Sequence, residues 1–155
     1  MKRIILCAFA LVACILGIQA QTQVIAHRGF WKTEGSAQNS ITALEKAAEA
    51  QLYGSEFDVL MTVDGKLVVN HDNKIEEMVI PETPYKKLKK LRIKNGEKLP
   101  TLKNYLKKGK KLDIQLILEA KPLPTKEMED QAIANIVKMV KKMGLEKQVE
   151  YISFS

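Results

Sequence analysis

"EFDVLMTVDGKLVVNHD", residues 56–72, joins two apolar segments through a tight turn and carries charges where a buried strand usually has none. Asp64-Gly65 is a strong signal for a two-residue hairpin turn, so the segments on either side are predicted to be antiparallel strands. Residues i and i+2 of a strand point to the same face, so Glu56 and Asp58 project together. Phe57 and Val59 then face covering helices, and the stretch predicts a strand with polar chemistry on one face.

Strands and helices alternate on both sides of this stretch. We predict a strand at 24–29, a helix at 38–54 capped by Asn39 or Ser40 and ended by Gly54, helices at 84–91 and 101–107, a strand at 112–121, a helix at 125–144 ended by Gly144, and a fourth strand in "VEYISFS". Near-continuous apolar strands alternating with helices indicate an α/β fold with a parallel sheet covered by helices.

The length of the chain bounds this fold. An eight-unit barrel needs about 250 residues, and 155 residues provide for about the first four strand-helix units. We therefore expect residues 21–155 to be the N-terminal portion of a domain that is truncated at its C-terminus, with an open strand edge.

The first 20 residues have the parts of a signal peptide. Lys2 and Arg3 precede the apolar run "IILCAFALVACILGI", and Ala20 stands before the expected cleavage site. The run is short for a membrane span, and the residues after Cys14 stay apolar, which disfavours the alternative of lipoprotein anchoring at Cys14. A retained anchor is the other alternative. We expect export to the periplasm or medium, with no stable membrane span after cleavage.

Composition excludes some chemistries. Both cysteines, Cys7 and Cys14, lie in the predicted signal peptide, so the remainder uses neither disulfides nor thiol nucleophiles. The formal net charge is +7, and most of the excess lies in the lysine runs at 85–94 and 107–111. Such runs can bind nucleic acid or anionic lipid, but they have little aromatic interleaving. We interpret them as solvated surface and expect no nucleic-acid partner.

Glu56 and Asp58 form the first candidate site. Adjacent carboxylates repel each other and are costly to bury. A divalent cation such as Ca²⁺ or Mg²⁺ resolves this conflict because hard ions prefer oxygen ligands. The alternative is a pair at a wet strand end, solvated or paired with lysine.

Glu119 ends the strand predicted at 112–121. Because the ends of parallel barrel strands converge on one mouth, Glu119 is predicted to complete a three-carboxylate set. Lys121 faces the same mouth and is a candidate for binding phosphate. The alternative is an ordinary surface salt bridge between Glu119 and Lys121.

The two histidines of the chain, His27 and His71, both fall at predicted strand ends. Histidine transfers protons near neutral pH, so one imidazole could take a proton from a nucleophile and the other give one to a leaving group. Arg28 has planar donors that match a phosphate, or it forms a buried ion pair that orients a carboxylate.

These residues recur in an ordered set of motifs that resembles the glycerophosphodiester phosphodiesterase family. The set is "HRG" (27–29), "QNS" (38–40), "EFDV" (56–59), "DGKLVVNHD" (64–72), "LPTL" (99–102) and "EAK" (119–121). The order and spacing match over essentially all of residues 21–155.

The resemblance implies a TIM (β/α)8 barrel of the phospholipase-C-like phosphodiesterase type. It implies His27 and His71 as the acid-base pair, Arg28 and Lys121 as phosphate-binding residues, and Glu56, Asp58 and Glu119 as ligands of one divalent cation, Ca²⁺ or Mg²⁺. It further implies hydrolysis of glycerophosphodiesters to glycerol 3-phosphate and an alcohol, with the neighbouring glycerol hydroxyl attacking first and water opening the cyclic phosphate.

The chain departs from the family pattern in three places. Ala37-Gln38-Asn39 stands where the family usually has Pro-Glu-Asn, and "NKIEEMVIPET" (73–83) replaces an arginine-rich loop after His71-Asp72. The family's second half is absent from these 155 residues. The alternative to an active enzyme is therefore a truncated fragment or pseudoenzyme that at most binds a phosphodiester or a metal.

Overall fold

A computed structural model describes residues 22–154, so the predicted signal peptide lies outside the described residues. In chain order the elements are β1 (Ile25–Ala26), α1 (Ile41–Glu49), β2 (Gly54–Met61), β3 (Leu67–Val69), β4 (Lys74–Ile75), β5 (Met78–Val79), a 3-10 helix (Ile80–Glu82), α2 (Tyr85–Leu88), α3 (Leu102–Leu112), β6 (Gln115–Ala120), α4 (Lys126–Met143) and β7 (Val149–Ser153). Strands β1, β2, β6 and β7 lie side by side in that order and are all parallel. The predicted parallel sheet with intervening helices is thus present.

Three helices differ from their predicted limits: α2 (Tyr85–Leu88) is shorter than the predicted 84–91, and left-handed backbone sets the ends of the other two. α1 is shorter than predicted: Asn39 (φ 61°) and Gln51 (φ 54°) leave the helical region on either side of it. Ser40 caps this helix by accepting a hydrogen bond from the N–H of Ala43. α3 is longer than predicted and ends at Leu112, where Asp113 adopts φ 52°. Side-chain patterning alone does not mark such backbone switches.

The hairpin after β2 forms as predicted, but its turn is longer. β3 pairs antiparallel with the end of β2, and the N–H of Thr62 donates to Lys66 O at 2.9 Å, so three residues form the loop. Only Gly65 has a positive φ, of 77°, whereas the predicted two-residue type I′ turn needs two such residues. Asp64 is held by its side chain instead: Oδ1 accepts from Thr62 Oγ1 at 2.6 Å and from the N–H of Tyr85 at 3.0 Å.

The core lies between the sheet and helices α1, α3 and α4. Every residue of β2 is buried. Phe57 stacks on Tyr105 of α3 with ring centroids 4.3 Å apart, while Ile136 and Val140 of α4 join the same apolar cluster. As the alternation predicts, Phe57 and Val59 supply this cluster, which leaves the other face of β2 to Glu56 and Asp58.

At the far side of the sheet, β7 pairs only with β6 among the described residues. Tyr151 and Ile152 on this strand, and Phe154 just after it, are exposed apolar side chains. Among residues 22–154, no helix is both long enough and apolar enough to cross a membrane.

Gly29 joins the first loop to the sheet and to α1. Its N–H donates to Ala26 O and to Glu56 O, both at 3.1 Å. Its φ is 78°, and a Cβ built there would lie 2.6 Å from Ala43 Cβ and 2.9 Å from the Ala43 carbonyl carbon. The loop that carries His27 therefore depends on the absence of a side chain at position 29.

We expect Gly29→Ala to lower the free energy of unfolding by roughly 1 to 3 kcal/mol more than Gly35→Ala, measured by urea denaturation. Gly35 is a matched control because its φ is 70° and nothing lies within 4 Å of a Cβ built there. The control should lose only the left-handed penalty of about 1 to 2 kcal/mol. Equal losses in the two variants would show that the contact with Ala43 is relieved without cost.

Candidate active site

Three acidic side chains, here called the carboxylate cluster, meet on two neighbouring strands. Glu56 and Asp58 lie on β2 and Glu119 on β6, where the register pairs Asp58 directly with Glu119. One oxygen from each residue lies within 4.8 Å of the others, and no member is more than 6% exposed. The structure thus brings together the three carboxylates that the sequence placed at separate strand positions.

Two carboxylate oxygens of the cluster accept no hydrogen bond from the residues that the structure describes. Within residues 22–154, neither Glu56 Oε1 nor Asp58 Oδ1 has a hydrogen-bond partner. Burial raises the pKa of Glu56 to about 7; the N–H of Arg28, which donates to Oε2 at 2.7 Å, opposes this rise, and the charges of Asp58 and Glu119 add to it. Hard divalent cations prefer oxygen ligands, and buried carboxylate oxygens without a hydrogen bond can serve as such ligands. The three residues therefore fit such an ion.

Two cationic side chains border the cluster. Lys121 Nζ lies 2.9 Å from Glu119 Oε1 and 3.4 Å from Asp58 Oδ1, the second contact being an ion pair without hydrogen-bond geometry. Burial lowers the pKa of Lys121, but the hydrogen bond to Glu119 and the charges of Asp58 and Glu119 outweigh it and raise the pKa overall. Arg28 Nε lies 3.9 Å from Asp58 Oδ2. Both residues therefore form the ion pairs that the sequence left as alternatives to phosphate binding.

Asn39 holds Asp58 in place through two hydrogen bonds. Its Nδ2 donates to Asp58 Oδ2 at 2.8 Å, and the N–H of Asp58 donates to its Oδ1 at 3.1 Å. The sequence indicated Asn39 as a possible helix cap, a role that Ser40 takes in the structure, and as part of the motif "QNS" (38–40), without assigning it a partner. The presence of two capping residue types in a row was the available signal that one of them has another partner.

Gln38 stands at the position where the family motif usually has an acid. Arg28 Nη1 donates to Gln38 Oε1 at 2.9 Å. The amide orients the guanidinium without neutralising it, so Arg28 keeps its positive charge beside the carboxylate cluster.

The two histidines take different positions. His27 Nε2 lies 3.9 Å from Glu56 Oε2, and the His27 side chain is 70% exposed. His71 Nδ1 lies 2.8 Å from Asp72 Oδ1, so one ring nitrogen is held beside a carboxylate. The N–H of Asn70 donates to Asp58 O at 3.1 Å, and this bond sets the start of the His71 loop against β2.

A cavity of about 310 Å³ lies next to these residues. We call it the site cavity; its lining includes Gln38, Asn39, His71, Asp72, Lys74 and Arg92. It links His71 to the side chain that holds Asp58. Arg92 was not identified from the sequence, because it belongs to a lysine-rich run without a local motif.

Glu97 fixes the loop that carries Arg92 to the start of α1. Its carboxylate accepts the N–H groups of Ile41 and Thr42 at 3.0 and 3.1 Å and Asn95 Nδ2 at 2.7 Å. Burial raises the pKa of Glu97, but these hydrogen bonds outweigh burial and lower it overall. One wall of the site cavity is therefore anchored to the same helix N-terminus that follows Asn39.

The sequence and the fold were compared with known proteins. The model of the glycerophosphoryl diester phosphodiesterase family matches residues 27–155. The chain therefore belongs to the glycerophosphoryl diester phosphodiesterase family.

Individual relatives agree with this family. A crystal structure of a glycerophosphodiester phosphodiesterase from Parabacteroides distasonis is 56% identical with a TM-score of 0.84, covering 86% of this chain and 56% of that chain. A phosphodiesterase from Oleispira antarctica, solved in complex with the product sn-glycerol-3-phosphate, is 26% identical with a TM-score of 0.76, covering 86% of this chain and 58% of that chain. A glycerophosphodiester phosphodiesterase from Caldanaerobacter subterraneus is 38% identical over 53% of this chain and 38% of its own length.

These relatives confirm the fold prediction: the chain has an α/β fold that matches part of the family's TIM-barrel domain. The chain spans a little over half the length of the two related structures.

We expect Ca²⁺ or Mg²⁺ to raise the melting temperature of the protein. Glu56→Gln, Asp58→Asn and Glu119→Gln should each weaken cation binding by more than roughly tenfold, because even the loss of a residue that only orients a metal ligand lowers metal affinity by about that factor. Calorimetric titration measures the affinity. Glu49→Gln, an exposed position, is the matched control and should bind as tightly as the parent. Undiminished affinity in all three cluster variants would rule out the carboxylate cluster as the cation site.

Without added cation, stability should fall as pH rises from about 4.5 to about 7. The folded-state pKa of Glu56 lies near 7, above its ordinary value of 4.5, so the folded protein binds this proton more tightly than the unfolded chain does. The contribution is fully present below pH 4.5 and is lost as pH rises through 7, a total of about 3 kcal/mol. Urea denaturation at a series of pH values measures it, and Glu56→Gln should flatten the profile. A parent profile already flat over this range would contradict the prediction.

Proposed function

We propose that the chain is the N-terminal part of an exported, metal-dependent phosphodiesterase that hydrolyses glycerophosphodiesters to glycerol 3-phosphate and an alcohol. The observation that carries the proposal is the carboxylate cluster with Arg28 and Lys121 at its border, within a chain of this family. The product bound by the Oleispira antarctica relative supports glycerol 3-phosphate as the product here. Export rests on the composition of residues 1–20.

Glu56, Asp58 and Glu119 would hold one divalent cation, Ca²⁺ or Mg²⁺, through the oxygens that lack donors. The cation, when bound, supplies positive charge that neutralises phosphate oxygens as negative charge builds on them. Asn39 keeps Asp58 in one orientation through both of its hydrogen bonds, which maintains the site before any ligand arrives.

Arg28 and Lys121 would bind the phosphate. Arg28 offers planar donors and is oriented by Gln38, so it can present two N–H groups to one phosphate. Lys121 is paired with Glu119 and Asp58. Its raised pKa keeps it protonated and available to a phosphate oxygen at the edge of the cluster.

His27 and His71 would move the protons. One imidazole takes the proton of the glycerol hydroxyl next to the phosphate; the hydroxyl oxygen then bonds to phosphorus while the bond to the alcohol breaks. The other imidazole gives its proton to the departing alcohol. In the second step a water, deprotonated by the second imidazole, opens the cyclic phosphate, and the first returns its proton to the glycerol oxygen.

A second candidate is a binding protein without turnover. The observation that favours it is Gln38, which stands where the family motif usually has an acid and accepts a hydrogen bond from Arg28. In this alternative the cluster and the two cationic residues bind a cation or a phosphodiester, and no bond is broken.

We expect the protein to release glycerol 3-phosphate from glycerophosphodiesters in a coupled assay, and chelator to abolish the release until Ca²⁺ or Mg²⁺ is restored. His27→Ala and His71→Ala should each lower turnover by roughly 10²- to 10⁴-fold, since each removes a proton-transfer group, while cation affinity in calorimetry stays unchanged. Glu49→Gln serves as the control for turnover.

The same assay separates the candidates. Saturable binding of glycerol 3-phosphate without turnover would favour the binding protein. Unchanged turnover in His71→Ala would reject the mechanism with two histidines, and turnover that survives chelation would reject the metal-dependent enzyme.

A further inference from the structure

A second cavity, of about 500 Å³, lies away from the candidate active site, between the hairpin turn after β2 and the helices α3 and α4. We call it the lysine cavity because four lysines line it: Lys66, Lys103, Lys138 and Lys142. They come from three separate segments, so no run in the sequence displays them. No acidic residue lines this cavity.

Three of the four ammonium groups in the lysine cavity have no ion pair within the part of the chain that the structure describes. Among residues 22–154, Lys103, Lys138 and Lys142 form no ion pair, whereas Lys66 Nζ lies 5.4 Å from the ring centroid of Tyr85. Lys138 and Lys142 are four residues apart on α4, a spacing at which like charges repel. An anion placed between them would relieve this repulsion.

Apolar side chains form part of the remaining surface of the cavity. Leu67 is buried, and Met139 and Met143 are partly buried against the main core, yet all three line the lysine cavity. Methionine side chains adapt to ligands of irregular shape because they are unbranched and polarizable. The cavity therefore offers an apolar surface beside several ammonium groups.

The lysine cavity shares no lining residue with the site cavity. Asn135, which lines the cavity, contacts β2 through its Nδ2, which donates to Met61 Sδ at 3.8 Å. None of the carboxylate cluster, His27, His71, Arg28 or Lys121 lines it. A ligand there would not occupy the proposed active site.

We propose that the lysine cavity binds a small anionic amphiphile, a molecule with a phosphate or carboxylate head and a short single alkyl chain. The head contacts Lys103, Lys138 and Lys142, and the chain lies against Leu67, Met139 and Met143. The volume falls in the range of small-molecule sites, and the charge and the apolar surface each match one half of such a ligand.

The test uses ¹³C-methyl-labelled methionine and octyl phosphate below its micelle-forming concentration. We expect saturable shifts of the Met139 and Met143 methyl signals, with Met78, which lies outside the cavity, as the internal reference. Octyl glucoside and inorganic phosphate each lack one half of the ligand and should bind at least about tenfold more weakly.

Charge-removing variants complete the test. Lys138→Gln/Lys142→Gln should weaken octyl phosphate binding by at least about tenfold, whereas the matched Lys107→Gln/Lys111→Gln variant on α3 should bind like the parent. Dispersed methionine signals verify folding, and Lys103→Gln replaces the double variant if that one unfolds.

Several outcomes would overturn the proposal. They are equal affinity for octyl phosphate and octyl glucoside, undiminished affinity in the lysine variants, or shifts of Met78 equal to those of Met139. Binding to phosphatidylglycerol vesicles without any response to octyl phosphate would assign the lysines to a membrane surface instead.

Discussion

Repulsion between three buried carboxylates governs the arrangement of the site. The parallel register of β2 and β6 puts Asp58 beside Glu119, and the two-residue repeat of the strand adds Glu56 on the same face. Like charges in a poorly solvated place are tolerated only with donors or counter-charges. The chain provides Asn39, Arg28 and Lys121, yet two oxygens accept no hydrogen bond from the residues that the structure describes. The shortfall leaves these oxygens able to accept a further positive charge.

The loops around the sheet supply hydrogen bonds to the acidic residues of β2. The segment between β1 and α1 contains four residues with positive φ, namely Arg28, Gly29, Gly35 and Asn39. Three of them are tied to β2: the N–H groups of Arg28 and Gly29 bond to Glu56, and Asn39 bonds to Asp58. Unfavourable backbone conformations persist where surrounding contacts determine them. The first loop is thus folded around the acidic face of β2, and Glu97 holds the next loop against the same helix.

The sequence predicted those features that depend on strand and helix periodicity. Alternation placed Glu56 and Asp58 on one face of β2, and the convergence of parallel strands placed Glu119 beside them. It did not identify Asn39 as the partner of Asp58, because the left-handed backbone that aims its side chain leaves no periodic trace. The three-residue turn was missed because the Asp64 side chain binds Thr62 and Tyr85. The sequence did not predict the lysine cavity, because tertiary packing assembles it from segments that are distant in the chain.

Gly29 and Ala43 are so close that a Cβ at position 29 would lie 2.6 Å from the Cβ of Ala43. Trimming Ala43 to glycine would not make room for a side chain at position 29, since a Cβ there would still lie 2.9 Å from the Ala43 carbonyl carbon and 3.1 Å from its oxygen. The loop that contains Gly29 consequently packs directly against α1. Steric contact therefore constrains positions 29 and 43 together, although they are fourteen residues apart in the sequence.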